Sequence, residues 1–180
     1  MSLVVAVIAV IIASNLELND VAQNAQISTA TSPFSSVTST VLSATTTDGF
    51  TYITVKRVVD GDTIELENGE KVRYIGVNSP ESVDPRRAVQ CFGKEASRFN
   101  KELIEGKRVR LEKDISNKDK YGRLLRFVYL EDGTFVNLKL VADGYARVYT
   151  YPPDVSHSEE FRAAEKEARD EKRGLWSACL

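Results

Sequence analysis

The chain has one histidine, two cysteines, one tryptophan and one methionine in 180 residues. A lone His157 excludes a two-histidine acid/base pair and a histidine-rich metal site, so proton transfer or metal chemistry must rest on carboxylates. Basic charge is absent from the first 49 residues, which hold three acids, Glu17, Asp20 and Asp48. All 24 Lys and Arg therefore lie in 50–180, where the 26 acids less those three leave 23, a net charge of +1. A near-neutral segment of mixed sign does not coat a polyanion by bulk attraction; only a local basic cleft could hold one. An apolar run of spanning length, roughly 20 residues, is also missing.

What stands at the N-terminus is a shorter run, LVVAVIAVIIA at 3–13. Its length suits the core of a signal peptide, although no positive charge precedes it, and Ser28-Thr29-Ala30 offers small residues for cleavage. This points to export for residues 1–27; an uncleaved membrane tether through 3–13 and a disordered N-terminus are the competing readings. In 28–47, 13 of 20 residues are Ser or Thr and none is charged. Such a stretch cannot bury enough apolar surface to fold, so 28–49 is expected to be a disordered linker and 50–180 the folded domain.

Within 50–180 the pattern is regular, and no internal repeat is present. Residues 51–59 (TYITVKRVV) form a β-rich run that ends at Asp60-Gly61, a turn signal. Residues 63–66 and 71–77 are expected as strands around a Glu67-Asn68-Gly69 hairpin loop, and 107–112 and 124–130 as two more. Ala96, Phe99 and Leu103 give 94–105 an apolar face that stops at Gly106, a helix. Residues 136–143 form a short helix, and 145–151 is extended. A last helix opens at Ser156 with Glu159 as a capping box, and stops at Gly174. Short strands with segregated helices mean α+β, a small closed barrel.

Three segments carry chemistry. In Asp60-Gly61-Asp62-Thr63, carboxylates at i and i+2 can converge on a hard cation, though the same residues make an ordinary turn. In Val72–Glu81, Arg73 sits mid-strand and is followed by an amide, a hydroxyl and a carboxylate around Pro80, which fixes its own φ and biases Ser79 to extended backbone. Glu81 is thereby held in one direction, as a general base aimed at a water would be. Asp119-Lys120-Tyr121-Gly122-Arg123 is either an exposed hairpin tip or a phosphate site, since the arginine fork matches two phosphate oxygens.

Taken in order, VVDGDTIEL, VRYIGVNSPE, FGKEASRF, DKYGRLLRFVYL, FVNLKLVADGYA, AEKEAR and GLW resemble the thermonuclease (staphylococcal nuclease-like) family over roughly 52–177. The resemblance implies an OB-fold five-stranded β-barrel with three helices. It implies a calcium (Ca2+) site at Asp62, Asn78 and the Ser79 carbonyl, with Asp60 as a nearby outer carboxylate. Arg73 and Arg123 match the two catalytic arginines, and Glu81 matches the base. Lys120 and Tyr121 match phosphate contacts, and Tyr149 and Tyr151 match tyrosines near the bound nucleotide, on a loop one residue shorter. The implied activity is calcium-dependent cleavage of DNA and RNA with little sequence preference, leaving 3′-phosphate ends, by a monomer with no obligate protein partner. The alternative is a weakened OB-fold module that binds single strands without cutting, although simple binding does not require the trio Arg73, Glu81 and Arg123.

Cys91 and Cys179 are either unrelated thiols or, in an exported protein, a disulfide; such a bond would contribute about 4 kcal/mol in the chain-entropy model. His157 is expected at the surface and Trp176 in the core. One departure from the family pattern bears on the metal. Asn78 stands where the family's best-studied member has Asp, and ligand charge sets calcium affinity. Asn78→Asp is therefore expected to tighten calcium binding measured by titration calorimetry; an unchanged affinity would contradict this.

Overall fold

The computed structural model describes residues 49–86 and 88–179; the export segment at 1–27 and the linker up to 48 lie outside the described residues. Three strands run as an antiparallel meander: β1 (Ile53–Asp60), β2 (Thr63–Leu66) and β3 (Lys71–Tyr74). The register of β1 on β2 slips at two places, as β-bulges do where a strand must bend round a barrel. β5 (Arg108–Glu112) and β6 (Leu124–Leu130) complete a closed barrel in the order β1-β2-β3-β6-β5. Closure leaves no free edge, and β2 is buried along its whole length. Val55, Ile64, Leu66, Val72, Val109 and Phe127 fill the interior.

The expected strand over 71–77 is two strands. The chain leaves the barrel after Tyr74, and β4 (Gly76–Asn78) pairs instead with β7 (Arg147–Tyr149). Gly76 takes a φ of 79°, and a Cβ there would stand 2.3 Å from the Phe161 ring. Both the left-handed backbone and the close approach require glycine. The only local sign is Gly76 itself, and a lone glycine in a β-rich run marks a bulge as readily as a break.

α1 (Gly93–Ile104) lies against β1, and its buried Asn100 accepts from the Tyr74 hydroxyl at 3.1 Å. α2 (Val136–Ala142) packs on α3 (Ser158–Asp170). The helices number four rather than three among the described residues, because one further turn, α4 (Leu175–Ala178), comes after Gly174. α3 begins at Ser158, not Ser156, and has no side-chain cap. Ser156 is engaged elsewhere: its hydroxyl and amide donate to Asp114 at 2.7 and 3.1 Å. Trp176 is not in the core. Its half-buried ring lies between the guanidinium groups of Arg147 and Arg169, 4.6 and 4.5 Å away. His157 is half-buried, with its ring edge-on to Phe127 at 4.5 Å. Cys91 and Cys179 are bonded, with Cα atoms 5.8 Å apart, joining the start of α1 to the end of α4.

Fully buried Asn137 on α2 ties the break to the barrel. Its Oδ1 accepts from Val128 N–H at 3.0 Å, and its Nδ2 donates to the Ile75 carbonyl at 2.9 Å. Asn137→Ala strands both main-chain groups and is expected to cost about 2–4 kcal/mol in urea denaturation. A loss below about 0.5 kcal/mol would show that water or another group replaces the amide.

Candidate active site

The β1–β2 turn holds Asp60 and Asp62, and Gly61 between them packs directly beneath Ser79; a Cβ on Gly61 would meet the Ser79 side chain at 2.6 Å. Buried Asp62 has partners on both oxygens, three of them on Oδ2 and one on Oδ1. It accepts from the Thr63 hydroxyl at 3.1 Å, from Ser79 N–H at 2.7 Å and from the Ser79 hydroxyl at 3.2 Å. Arg73 Nη2 also approaches Asp62 at 3.2 Å, and the Arg73 side chain is only 14% exposed. This arginine does not face solvent. It donates to the Tyr74 and Val77 carbonyls at 2.8 and 2.7 Å and to Asn78 Oδ1 at 3.0 Å. The departure of β4 from the barrel is what swings those acceptors round it.

Glu81 lies beyond Pro80 in irregular chain. Its Oε1 accepts from the amides of Val83 and Asp84 at 2.9 and 3.0 Å. These amide bonds, the Val83 one foremost, together with a hydrogen bond shared with Asp60, hold the Glu81 carboxyl below the ordinary range, so it is anionic at neutral pH. Asp60 moves the opposite way. Burial, reinforced by the negative charges of Asp62 and Glu81, pushes it up to about 6 against hydrogen bonds from Ser82 at 2.6 Å and Gly61 at 2.8 Å. Two neighbouring carboxyls whose environments drive them apart divide the labour: below about pH 6 Asp60 carries the shared proton while Glu81 stays ionised.

Arg123 precedes β6 on the turn from 119 to 123. Asp119, which heads the 119–123 motif but to which the sequence assigns no role of its own, organises that turn. It accepts from Arg123 N–H at 3.0 Å, Arg123 Nε at 2.7 Å and Tyr121 N–H at 2.9 Å. Partial burial opposes its ionisation, but the Arg123 bonds hold Asp119 below its ordinary value. Its signal in sequence is a carboxylate four residues before an arginine across a glycine turn.

A cleft of about 550 Å³ is lined by Asp60, Asp62, Arg73, Asn78, Ser79, Glu81 and Arg123, and also by Lys71, Asp84, Arg86 and Gln90. Lys120, Tyr121, Tyr149 and Tyr151 do not line it. Tyr121 stands beside it, its exposed ring 5.4 Å from the Arg123 guanidinium and 5.1 Å from Lys120 Nζ. Tyr149 ends β7 opposite Gly76, and Tyr151 bridges to Asp154; both rings are exposed. Among the described residues no three His, Cys, Asp or Glu side chains form a metal-binding group. The donors at hand are one buried carboxylate, the Asn78 amide oxygen and the Ser79 carbonyl, with Asp60 nearby. This all-oxygen set, beside carboxyls that repel one another, fits a hard cation.

The raised Asp60 value has a consequence for stability. The folded state holds a proton that the unfolded chain releases near pH 3.8, so stability falls as pH rises from there to about 6 and the penalty persists above. Asp60→Asn keeps a donor toward Glu81 without that penalty. In chelator it is expected to raise Tm at pH 7.5, and to raise it less at pH 4.5; an equal or larger gain at pH 4.5 would refute this.

Comparison with known proteins places the chain. Residues 71–178 match the family model of the staphylococcal nuclease homologue. Over 137 residues the chain is 45% identical to a thermonuclease of Staphylococcus intermedius, covering 74% of this chain and 80% of that protein. It is 44% identical over 126 residues to a thermonuclease of Staphylococcus hyicus, covering 68% and 74%. With the endonuclease YncB of Bacillus subtilis (strain 168) it shares 44% identity over 130 residues, 69% of this chain and 61% of that one. On the matched span, the identity and the barrel with its cleft, the chain belongs to the staphylococcal nuclease homologue family.

Proposed function

We propose that the protein is a calcium-dependent endonuclease that hydrolyses phosphodiester bonds of DNA and RNA with little sequence preference, leaving 3′-phosphate ends. The observation that carries this reading is the single cleft on which two arginines, an ionised glutamate and a buried aspartate converge. Asp62, Asn78 Oδ1 and the Ser79 carbonyl would hold the cation, with Asp60 outside them. When bound there, calcium supplies Lewis-acid polarisation of a phosphoryl oxygen.

The chain's own groups do the rest. Glu81 accepts a proton from the attacking water, its carboxylate aimed by two main-chain amides. Arg73 and Arg123 bring positive charge to the non-bridging oxygens, where charge grows in the pentacoordinate transition state. The Arg73 Nη groups are taken by internal acceptors, so Arg73 offers its charge and its Nε–H rather than its fork. Arg73 is held by four acceptors and reorganises little; Arg123 depends on Asp119. Lys120 and Tyr121 would meet a neighbouring phosphate, and the exposed rings of Tyr149 and Tyr151 would stack on bases, which every base accepts.

The reading extends to location. The apolar run at 3–13 and the Cys91–Cys179 pair support a secreted protein, with 1–27 as leader or anchor and 28–49 as linker. The enzyme would act as a monomer without an obligate protein partner. One observation favours a second reading, a single-strand binding module: Asn78 leaves the cation site one anion short.

Hydrolysis of single-stranded DNA with calcium and with chelator separates the two. Wild type is expected to cut only with calcium and Glu81→Gln to lose that cutting. Arg73→Ala and Arg123→Ala are each expected to lower kcat by ~10²–10³-fold. Binding without calcium-dependent cutting by the wild type would establish the module instead.

A further inference from the structure

Gln90 lines two clefts at once: the active-site cleft, and a second of about 170 Å³ whose wall includes Cys91 and Cys179. It therefore stands between Glu81 and the disulfide. Two hydrogen bonds tie it to Glu81. The Glu81 main-chain N–H donates to Gln90 Oε1 at 3.0 Å, and the Gln90 main-chain N–H donates to the Glu81 carbonyl at 2.9 Å. Glu81 belongs to no helix or strand, so these bonds and the start of α1 hold its main chain. Gly93 comes so near that a Cβ on it would lie 2.6 Å from the Glu81 carbonyl oxygen.

On its other side Gln90 is anchored through Cys91 and Phe92. Cys91 is bonded to Cys179 at the end of α4. Phe92 has a φ of 66°, which a phenylalanine adopts only where its surroundings impose it. Its ring stacks on Tyr145 at 5.4 Å, and Tyr145 stacks on Phe99 of α1 at 3.9 Å. The segment 90–92 is thus clamped to the C-terminal turn and to α1, and Glu81 is clamped to that segment.

We propose that Gln90 is a positioning residue that fixes Glu81 toward the cleft, and that the Cys91–Cys179 bond fixes Gln90, which makes turnover depend on the disulfide. This rests on the nuclease reading of the cleft. Gln90 acts through the Glu81 main chain, to which its Oε1 is bonded. A dithiol that converts both sulfurs to thiols, itself becoming a cyclic disulfide, releases the anchor while α1 and the barrel keep their own contacts.

The test uses the 180-residue chain with calcium and single-stranded DNA. Gln90→Met keeps size but removes the acceptor, whereas Gln90→Glu keeps an acceptor oxygen. In oxidised protein Gln90→Met is expected to lower kcat about five- to tenfold, as loss of one ordinary hydrogen bond would, with KM unchanged. Gln90→Glu is expected to restore most of that loss. Dithiothreitol, or Cys179→Ser, is expected to lower wild-type kcat by a similar factor and to add little to Gln90→Met, because the two changes act through one contact. Hydrogen exchange at the Glu81 amide, which needs no turnover, is expected to quicken in both, with circular dichroism showing the barrel folded. Wild-type kcat in Gln90→Met and in reduced enzyme, with slow exchange at Glu81, would overturn the proposal and leave the nuclease reading standing. A wild type that cuts no DNA would overturn the nuclease reading and the proposal with it.

Discussion

The site depends on one change of direction. After Tyr74 the chain stops running beside β6, and Gly76–Asn78 turns away to pair with β7. Had the strand continued, the residues after Ile75 would have run on along the barrel wall, and Ser79 could not reach Asp62. The turn is enforced from three sides. Phe161 leaves room only for glycine at 76, Asn137 takes the Ile75 carbonyl that the barrel gives up, and Arg73 takes the carbonyls of Tyr74 and Val77. A polar group freed by a strand break inside a protein must find a partner there, and each of these has one.

The same arginine that supports the turn is proposed to meet the phosphate. Arg73 is paired with Asp62 and nearly enclosed, so its position is set by the barrel itself. Arg123 is held by a single carboxylate on a loop. The two proposed phosphate ligands therefore differ in how they are prepared: one is built into the wall, the other is carried by the Asp119 turn. The carboxyls divide in a similar way. Amides hold Glu81 ionised, while burial beside two other acids keeps a proton on Asp60 at mildly acid pH.

The far end of the chain completes the architecture. α4 returns to the start of α1 through the Cys91–Cys179 bond, and Trp176 lies between arginines of β7 and α3. These contacts lie outside the barrel core, yet they border the loop that carries Glu81. Stability of the C-terminal turn and placement of the proposed base are thus coupled through a few residues near 90.

Much of this was legible in the sequence because it is local. Periodicity and punctuation marked the strands at 63–66 and 124–130 and the helix ending near Gly106, since apolar spacing and glycine stops act over a few residues. Asp60, Asp62, Arg73, Glu81 and Arg123 were candidate charges in turns or strands, each open to an ordinary reading alone, and seven motifs in order, three of which hold them, carried the family resemblance. Tertiary structure decided the rest, for reasons that no local pattern holds. Gly76 is the one weak point in the β-rich run from 71 to 77, and a lone glycine marks a bulge as readily as a break. That the strand leaves the barrel there is decided by Phe161 and Asn137, both about sixty or more residues away. Ser156 looked like a helix cap, but Asp114 claimed it. Trp176 looked like core and became the filling between two cations. Asp119 and Gln90 carried no signal strong enough to single them out, because what each does is to hold another residue still, and that is a property of distance in space.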